Sequence, residues 1–271
     1  MRKAAIALVA LASASLLVAV LVHLTTPSRA SPGEASLGWP AAAARPVAVT
    51  FPANFATKRI YLDAGHGAEG NRGNQSCFCR DEQDFTLALA ADVAERLEQT
   101  HRFAIRVSRK NGELKDYVTR VAEAEQFEAD VFISLHSDVR GEAERWPETS
   151  CLRSRSAPGF AVLWSDAGEP PLADRRLALA RALAGALERS GIHAYDGGDY
   201  QEHYAPDRRA GVFVDRHAHA ERIFVLWRPS MPSILIETHN ALDDREALRW
   251  EEPTTREAFA SALAAALIEV N

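Results

Sequence analysis

The chain has 271 residues, 47% of them hydrophobic and 25% charged, the balance of a folded globular protein rather than a disordered one. Its length allows one large domain or two small ones. A net charge of −6 without a basic block argues against a nucleic-acid partner, and three cysteines are too few for a disulfide scaffold.

Met1-Arg2-Lys3 is a basic start, Ala4 to Leu24 is almost wholly apolar, and Ser28-Arg29-Ala30 places small residues at −3 and −1 of a cleavage site. Residues 1–30 therefore read as a signal peptide. The apolar run is long for one, so an uncleaved anchor over residues 4–24, tethering the protein to the cytoplasmic membrane, is the rival reading. Either way the remainder is expected to be exported, to the periplasm or cell envelope. Residues 31–57, rich in Ala, Pro, Ser and Gly, read as a linker.

From residue 58 onward, strand and helix patterns alternate. Arg59–Leu62 is a short apolar strand. Residues 82–99 are helical, with Phe85, Leu89, Val93 and Leu97 on one face and Asp81 at the N-cap position. A strand at 103–108 and a helix at 115–128 follow, the latter with Val118, Val121 and Ala122 inward. Residues 131–135 form a continuous apolar run, hence a central strand. A strand at 160–164 precedes an Ala/Leu helix over 172–190 that Gly191 ends. Residues 192–220 read as an irregular loop, 223–227 and 234–236 as strands, and 254–269 as the closing helix. The alternation predicts one α/β domain over 58–271, a mostly parallel twisted sheet with helices on both faces.

The chemistry gathers at strand ends. His66 follows the first strand in Asp63-Ala-Gly-His-Gly, where flanking glycines clear space around the ring. Glu82 opens the first helix, His136 closes V-F-I-S-L-H, and Glu237 closes I-L-I-E. Carboxyl ends of strands in α/β sheets are where ligands bind. Each residue also has a plain structural reading: a loop histidine bonded to backbone, or a helix-start acid favoured by the dipole. A carboxylate closing an apolar strand needs a partner, so Glu237 is the hardest to explain that way. Two histidines and one carboxylate are a recurring catalytic zinc set, with an open position for water. A further carboxylate beside it can move protons between water and a leaving amine.

These motifs together resemble the zinc-dependent N-acetylmuramoyl-L-alanine amidases of the amidase-3 type. Asp63-Ala64-Gly65-His66-Gly67 stands at the opening D-x-G-H-G, and Glu82 at the helix-start glutamate. Ser108-Arg109 stands at the second strand's T-R pair, with Arg120 and Ala124 in the next helix. Ser134-Leu135-His136-Ser137-Asp138 stands at S-I-H-A-N. Val225-Leu226-Trp227, Pro232 and Leu235-Ile236-Glu237 stand at the late V-L-R, Pro and L-V-E. The resemblance, over about residues 58–270, implies zinc on His66, Glu82 and His136, with Glu237 as the catalytic carboxylate. It also implies hydrolysis of the amide between N-acetylmuramic acid and L-alanine, with peptidoglycan or muropeptides as partner. The departures are Thr238-His239-Asn240 after the catalytic glutamate, Asp138 and Glu125 in place of asparagines, and a polar insertion at 140–158. Whether that insertion blocks the cleft until an activator protein binds stays open in the sequence.

Cys77 and Cys79 precede Glu82, and Cys151 lies in the insertion. A bond from one of the pair to Cys151, or free thiols, are equal readings. His217 and His219 are able to share a metal but read better as a surface loop, and His203 and His239 are not assigned as ligands. Arg109 and Arg120 either hold a substrate carboxylate or make ordinary ion pairs. Two other functions remain open: a zinc peptidase or deacylase acting on another amide, and a wall-binding protein without turnover.

Overall fold

A computed structural model describes residues 43–200 and 202–270. The expected signal or anchor segment and the first part of the expected linker lie outside these residues. In chain order the elements are β1 (Lys58–Ala64), α1 (Glu82–Glu98), β2 (Phe103–Val107), α2 (Tyr117–Gln126), β3 (Val131–Asp138), β4 (Glu144–Arg145), β5 (Leu152–Arg153) and β6 (Ala161–Trp164). There follow α3 (Pro170–Arg189), β7 (Tyr204–Pro206), β8 (Val212–Asp215), α4 (Phe224–Trp227), β9 (Ser233–Asn240), α5 (Asp244–Glu251) and α6 (Pro253–Glu269).

Seven strands form one sheet in the order β2-β1-β3-β9-β6-β8-β7, and β4 with β5 makes a separate hairpin. Pairing is parallel from β2 through β9 and again between β6 and β8; β6 runs antiparallel to β9, and β7 to β8. The sheet is thus mostly parallel, as expected. Side chains alternate across it. Ile60, Leu62, Ile133, Leu135, Ile234 and Ile236 face one core, whereas Tyr61, Phe132 and Leu235 face the other. A sheet apolar on both faces needs a cover on each. The first is supplied by α1, α3 and α6 through Leu89, Val93, Leu183, Leu187, Phe259 and Leu263. The second comes from α2 and α4 through Val121, Ala124, Val225 and Leu226.

Several expectations need correction. The stretch expected as a strand at 223–227 is instead the short helix Phe224–Trp227, with Ile223 at its N-cap. Five apolar residues are too few for periodicity to separate the two states. Here Asp215 accepts from the Ile223 N–H, while Ser233 and Arg176 donate to the carbonyls of Leu226 and Trp227. The expected irregular loop contains β7 and β8, and α5 was not foreseen. In α2, Val118 is 65% exposed, because the helix is turned so that Arg120, Val121 and Ala124 face inward. Residues 43–57 carry no helix or strand, yet Ala44 and Phe55 are buried, and Val47, Val49 and Phe51 pack on the same core. That part of the expected linker is a strap on the domain. Among the described residues, no helix is long and apolar enough to cross a membrane.

Candidate metal centre

The site is built on the adjacent strands β1, β3 and β9. Asp63 in β1 is fully buried, and its carboxylate accepts from Arg120 Nη1 at 2.9 Å and Ser134 Oγ at 2.7 Å. Arg120 also donates to the carbonyls of Ala64, His66 and Lys115. Arg109 donates to those of Ala64, Gly65 and Gln83. Both arginines are therefore committed to backbone and, for Arg120, to an internal ion pair. They fix the turn that presents His66. That residue sits at φ 60°, a left-handed conformation that a side chain adopts only when its surroundings enforce it.

His66 Nδ1 lies 2.7 Å from Asn71 Oδ1, and Asn71 Nδ2 donates to Tyr117 Oη at 3.0 Å. The amide oxygen only accepts, so Nδ1 carries the proton and the Nε2 lone pair faces the cluster. That Nε2 is 2.9 Å from Glu82 Oε2 and 3.1 Å from His136 Nδ1. His136 Nδ1 is in turn 3.0 Å from Glu82 Oε1. Further donors hold the carboxylate: Ser137 N on Oε1 at 2.9 Å, and Asn74 N and Nδ2 on Oε2 at 3.1 and 2.8 Å. Two glycines make room. A Cβ on Gly65 would lie 2.3 Å from His136 Nε2, and one on Gly73 would lie 2.5 Å from Glu82 Oε2.

His66, Glu82 and His136 thus converge, one donor atom each within 4.8 Å of the others, and a divalent ion is what such a set can hold. Asp81 stands at the N-cap of α1, but its side chain makes no capping bond. Burial pushes the Glu82 pKa up, yet hydrogen bonds and charge from His136 and His66 outweigh it and hold the group well below the usual carboxylate range.

Glu237 pairs with His136 in the β3–β9 register. With His66, His136, Tyr117, Ile223, Phe224 and Val225 it lines a cleft of about 320 Å³. Its Oε2 is buried and has no hydrogen-bond partner. Burial, together with the charges of Asp138 and Glu82, drives its pKa well above the usual range, with Arg140 opposing. Asp138 itself accepts from Tyr200 Oη at 2.5 Å.

Among the described residues, the other histidines do not join the cluster. His217 bonds Asp215 at 2.8 Å and stacks on His203, while His219 packs on Trp227. His239 is a core residue stacked on Trp250, and Thr238 Oγ1 links its Nδ1 to the His136 carbonyl. Asn71, Asn74 and Tyr117, which aim the ligands, went unnoticed in the sequence. Asn71 and Asn74 lie in a glycine-rich run that marks a loop and nothing more.

The protein is thus a mostly parallel α/β sheet carrying, at its carboxyl edge, a His–Glu–His cluster able to hold a divalent ion. Residues 60–269 match the N-acetylmuramoyl-L-alanine amidase family, and the chain belongs to that family of enzymes. The fold is shared with the amidase Ami1 of Mycobacterium smegmatis at TM-score 0.61 and 21% identity, over 79% of this chain and 96% of that one. It is shared also with the amidase of Clostridium difficile 630 at TM-score 0.59 and 19% identity, over 78% and 95% of the two chains. AmiC2 of Nostoc punctiforme gives TM-score 0.54 at 23% identity, over 78% and 94%. By sequence, 81 residues are 36% identical to the uncharacterized protein YqiI of Bacillus subtilis (strain 168). That stretch is 29% of this chain and spans 37% of the relative's length.

Proposed function

We propose that this protein is an exported zinc amidase that cleaves the bond between N-acetylmuramic acid and L-alanine in peptidoglycan or its muropeptide fragments. The observation that carries the reading is the meeting of His66, Glu82 and His136 at the edge of a cleft that His66 and His136 line together with Glu237. Two imidazoles and one carboxylate, each oriented by a second hydrogen bond or a close glycine, fit a zinc ion by donor chemistry. Zinc held there supplies Lewis acidity toward a carbonyl and toward water.

The chain's own residues do the rest. Glu237 Oε2, buried and without a protein partner, is free to take a proton from the attacking water. Burial and the neighbouring carboxylates raise its proton affinity, so it can hold that proton and pass it to the leaving amine. Tyr117, Ile223, Phe224 and Val225 wall the cleft and limit water around the scissile amide. Export follows from the basic, then apolar, start of the chain.

Incubating purified protein with defined muropeptides, with and without a chelator, tests this. Metal-dependent release of intact stem peptides is the expected result. Cuts within the peptide would identify a peptidase instead, and binding without products a wall-binding protein.

A further inference from the structure

No residue of the 140–158 insertion lines the cleft, whose walls come from the loop after β1, from β3, β9, α2 and the α4 region. It contacts the loop that carries Glu82. We propose that the insertion, bolted through the Cys79–Cys151 disulfide, is a positioning brace for Glu82 and sets how long the site keeps its metal ion. This rests on the reading of His66, Glu82 and His136 as ligands.

The loop is a short hairpin-like excursion. At its base, Glu82 N donates to Asn74 O at 2.9 Å, and Asn74 N and Nδ2 both donate to Glu82 Oε2. The Asn74 amide also reaches the Ser137 carbonyl, beside ligand His136. Gln75 bridges Asp81, and Ser76 N donates to Arg80 O, so the two arms of the excursion are tied to each other. Its tip, Cys77-Phe78-Cys79, is where the insertion holds it. Cys79 bonds Cys151, Thr149 Oγ1 donates to Cys77 O at 2.7 Å, and the Phe78 and Trp146 rings meet edge-on at 5.3 Å.

The insertion is itself anchored. Arg155 makes a two-pronged pair with Asp244 at 2.6 and 2.7 Å, Ser154 N donates to Leu242 O, and Gly159 N donates to Glu246. It therefore ties the tip of the Glu82 loop to the segment that leaves β9. Cys77 N on Ala241 O and Arg80 on Glu251 hold the excursion as well, so releasing the insertion's grip loosens the tip rather than freeing it, and added play at the base weakens the two Asn74 N–H donors on a ligand oxygen. Burial pushes the Cys77 thiol up to about 12, so at neutral pH it does not compete for the disulfide.

The test is the rate at which the zinc-loaded full chain surrenders its ion to a chromophoric chelator, well below the melting temperature. Removing outer partners of ligands weakens metal binding roughly 10- to 100-fold. A brace one step further out should act at the lower end, so the Cys79→Ser, Cys151→Ser double variant should release zinc about tenfold faster. Leu183→Ala, a core truncation in α3, lowers the melting temperature without touching the loop and should release zinc at the wild-type rate. Should the double variant not fold, Trp146→Ala decides, with release expected severalfold faster. Release within twofold of wild type in the folded loop variant, or equal acceleration in Leu183→Ala, overturns the proposal. Failure of the wild-type chain to take up zinc overturns the ligand reading as well, and is told apart because no loaded protein is obtained.

Discussion

Glu82 and Glu237 are both carboxylates at the carboxyl edge of one sheet, and their surroundings treat them in opposite ways. Both oxygens of Glu82 accept N–H bonds from Asn74 or Ser137 and lie beside the His66 and His136 rings, which together keep it ionised despite its burial. Glu237 is only half-buried as a residue, but its Oε2 is a buried orphan and it faces other carboxylates, which favour its protonated form. Burial alone raises both; the count of donors and the sign of neighbouring charge decide the outcome. A pair pushed apart in this way suits one carboxylate to binding and the other to moving a proton.

The sharpest way to break that contrast is to neutralise each member. Glu237→Gln keeps shape but cannot take a proton. It is expected to lower turnover of a muropeptide substrate by roughly 10²- to 10⁴-fold while zinc content, measured by metal analysis, stays at the wild-type level. Glu82→Gln should do the reverse, emptying the site of metal after dialysis against a mild chelator. Equal zinc loss in both variants would erase the division of labour.

A smaller effect is expected from Asn74→Ala, which removes the side-chain donor while leaving the ligand. Zinc affinity from competition titration should weaken roughly 10- to 100-fold. An unchanged affinity would mean that the Ser137 and Asn74 backbone donors suffice to hold Glu82.

The smallest effect concerns stability, at two buried groups that continue the same logic. Glu246 accepts from Gly159 N and Asn240 N, yet burial outweighs these bonds and pushes it up to about 7 from 4.5. Its contribution is full below pH 4.5 and lost as pH rises through 7, at most roughly 3 kcal/mol. His239, pushed down by burial to about 3 from 6.5, contributes above pH 6.5 and loses that contribution as pH falls. The two slopes oppose each other between pH 4.5 and 6.5. Glu246→Gln should therefore unmask a melting temperature that climbs with pH across this window. A profile as flat as the wild type's would show that Glu246 does not titrate there.

Period and spacing made most of the sheet and its long helices legible, since β1, β3 and β9 each hold a short, mostly apolar stretch and α1 repeats at i+4. Of the short segments, β2 and β6 were legible but α4, β7 and β8 were not; α4 takes its state from partners outside the segment, Asp215, Ser233 and Arg176. His66, Glu82, His136 and Glu237 could be named from strand ends and family resemblance. Their orientation could not, because Asn71, Asn74 and Tyr117 act across the loop in space.

The sequence by itself determined the layered α/β plan, the residue types able to bind a metal, and the strand ends that carry them, because apolar periodicity is a local property. Only the tertiary structure decided which cysteine joins Cys151, that the insertion grips a loop rather than lining the cleft, and that the two arginines serve backbone and Asp63. Those outcomes depend on distances between groups far apart in the chain, which no local pattern encodes.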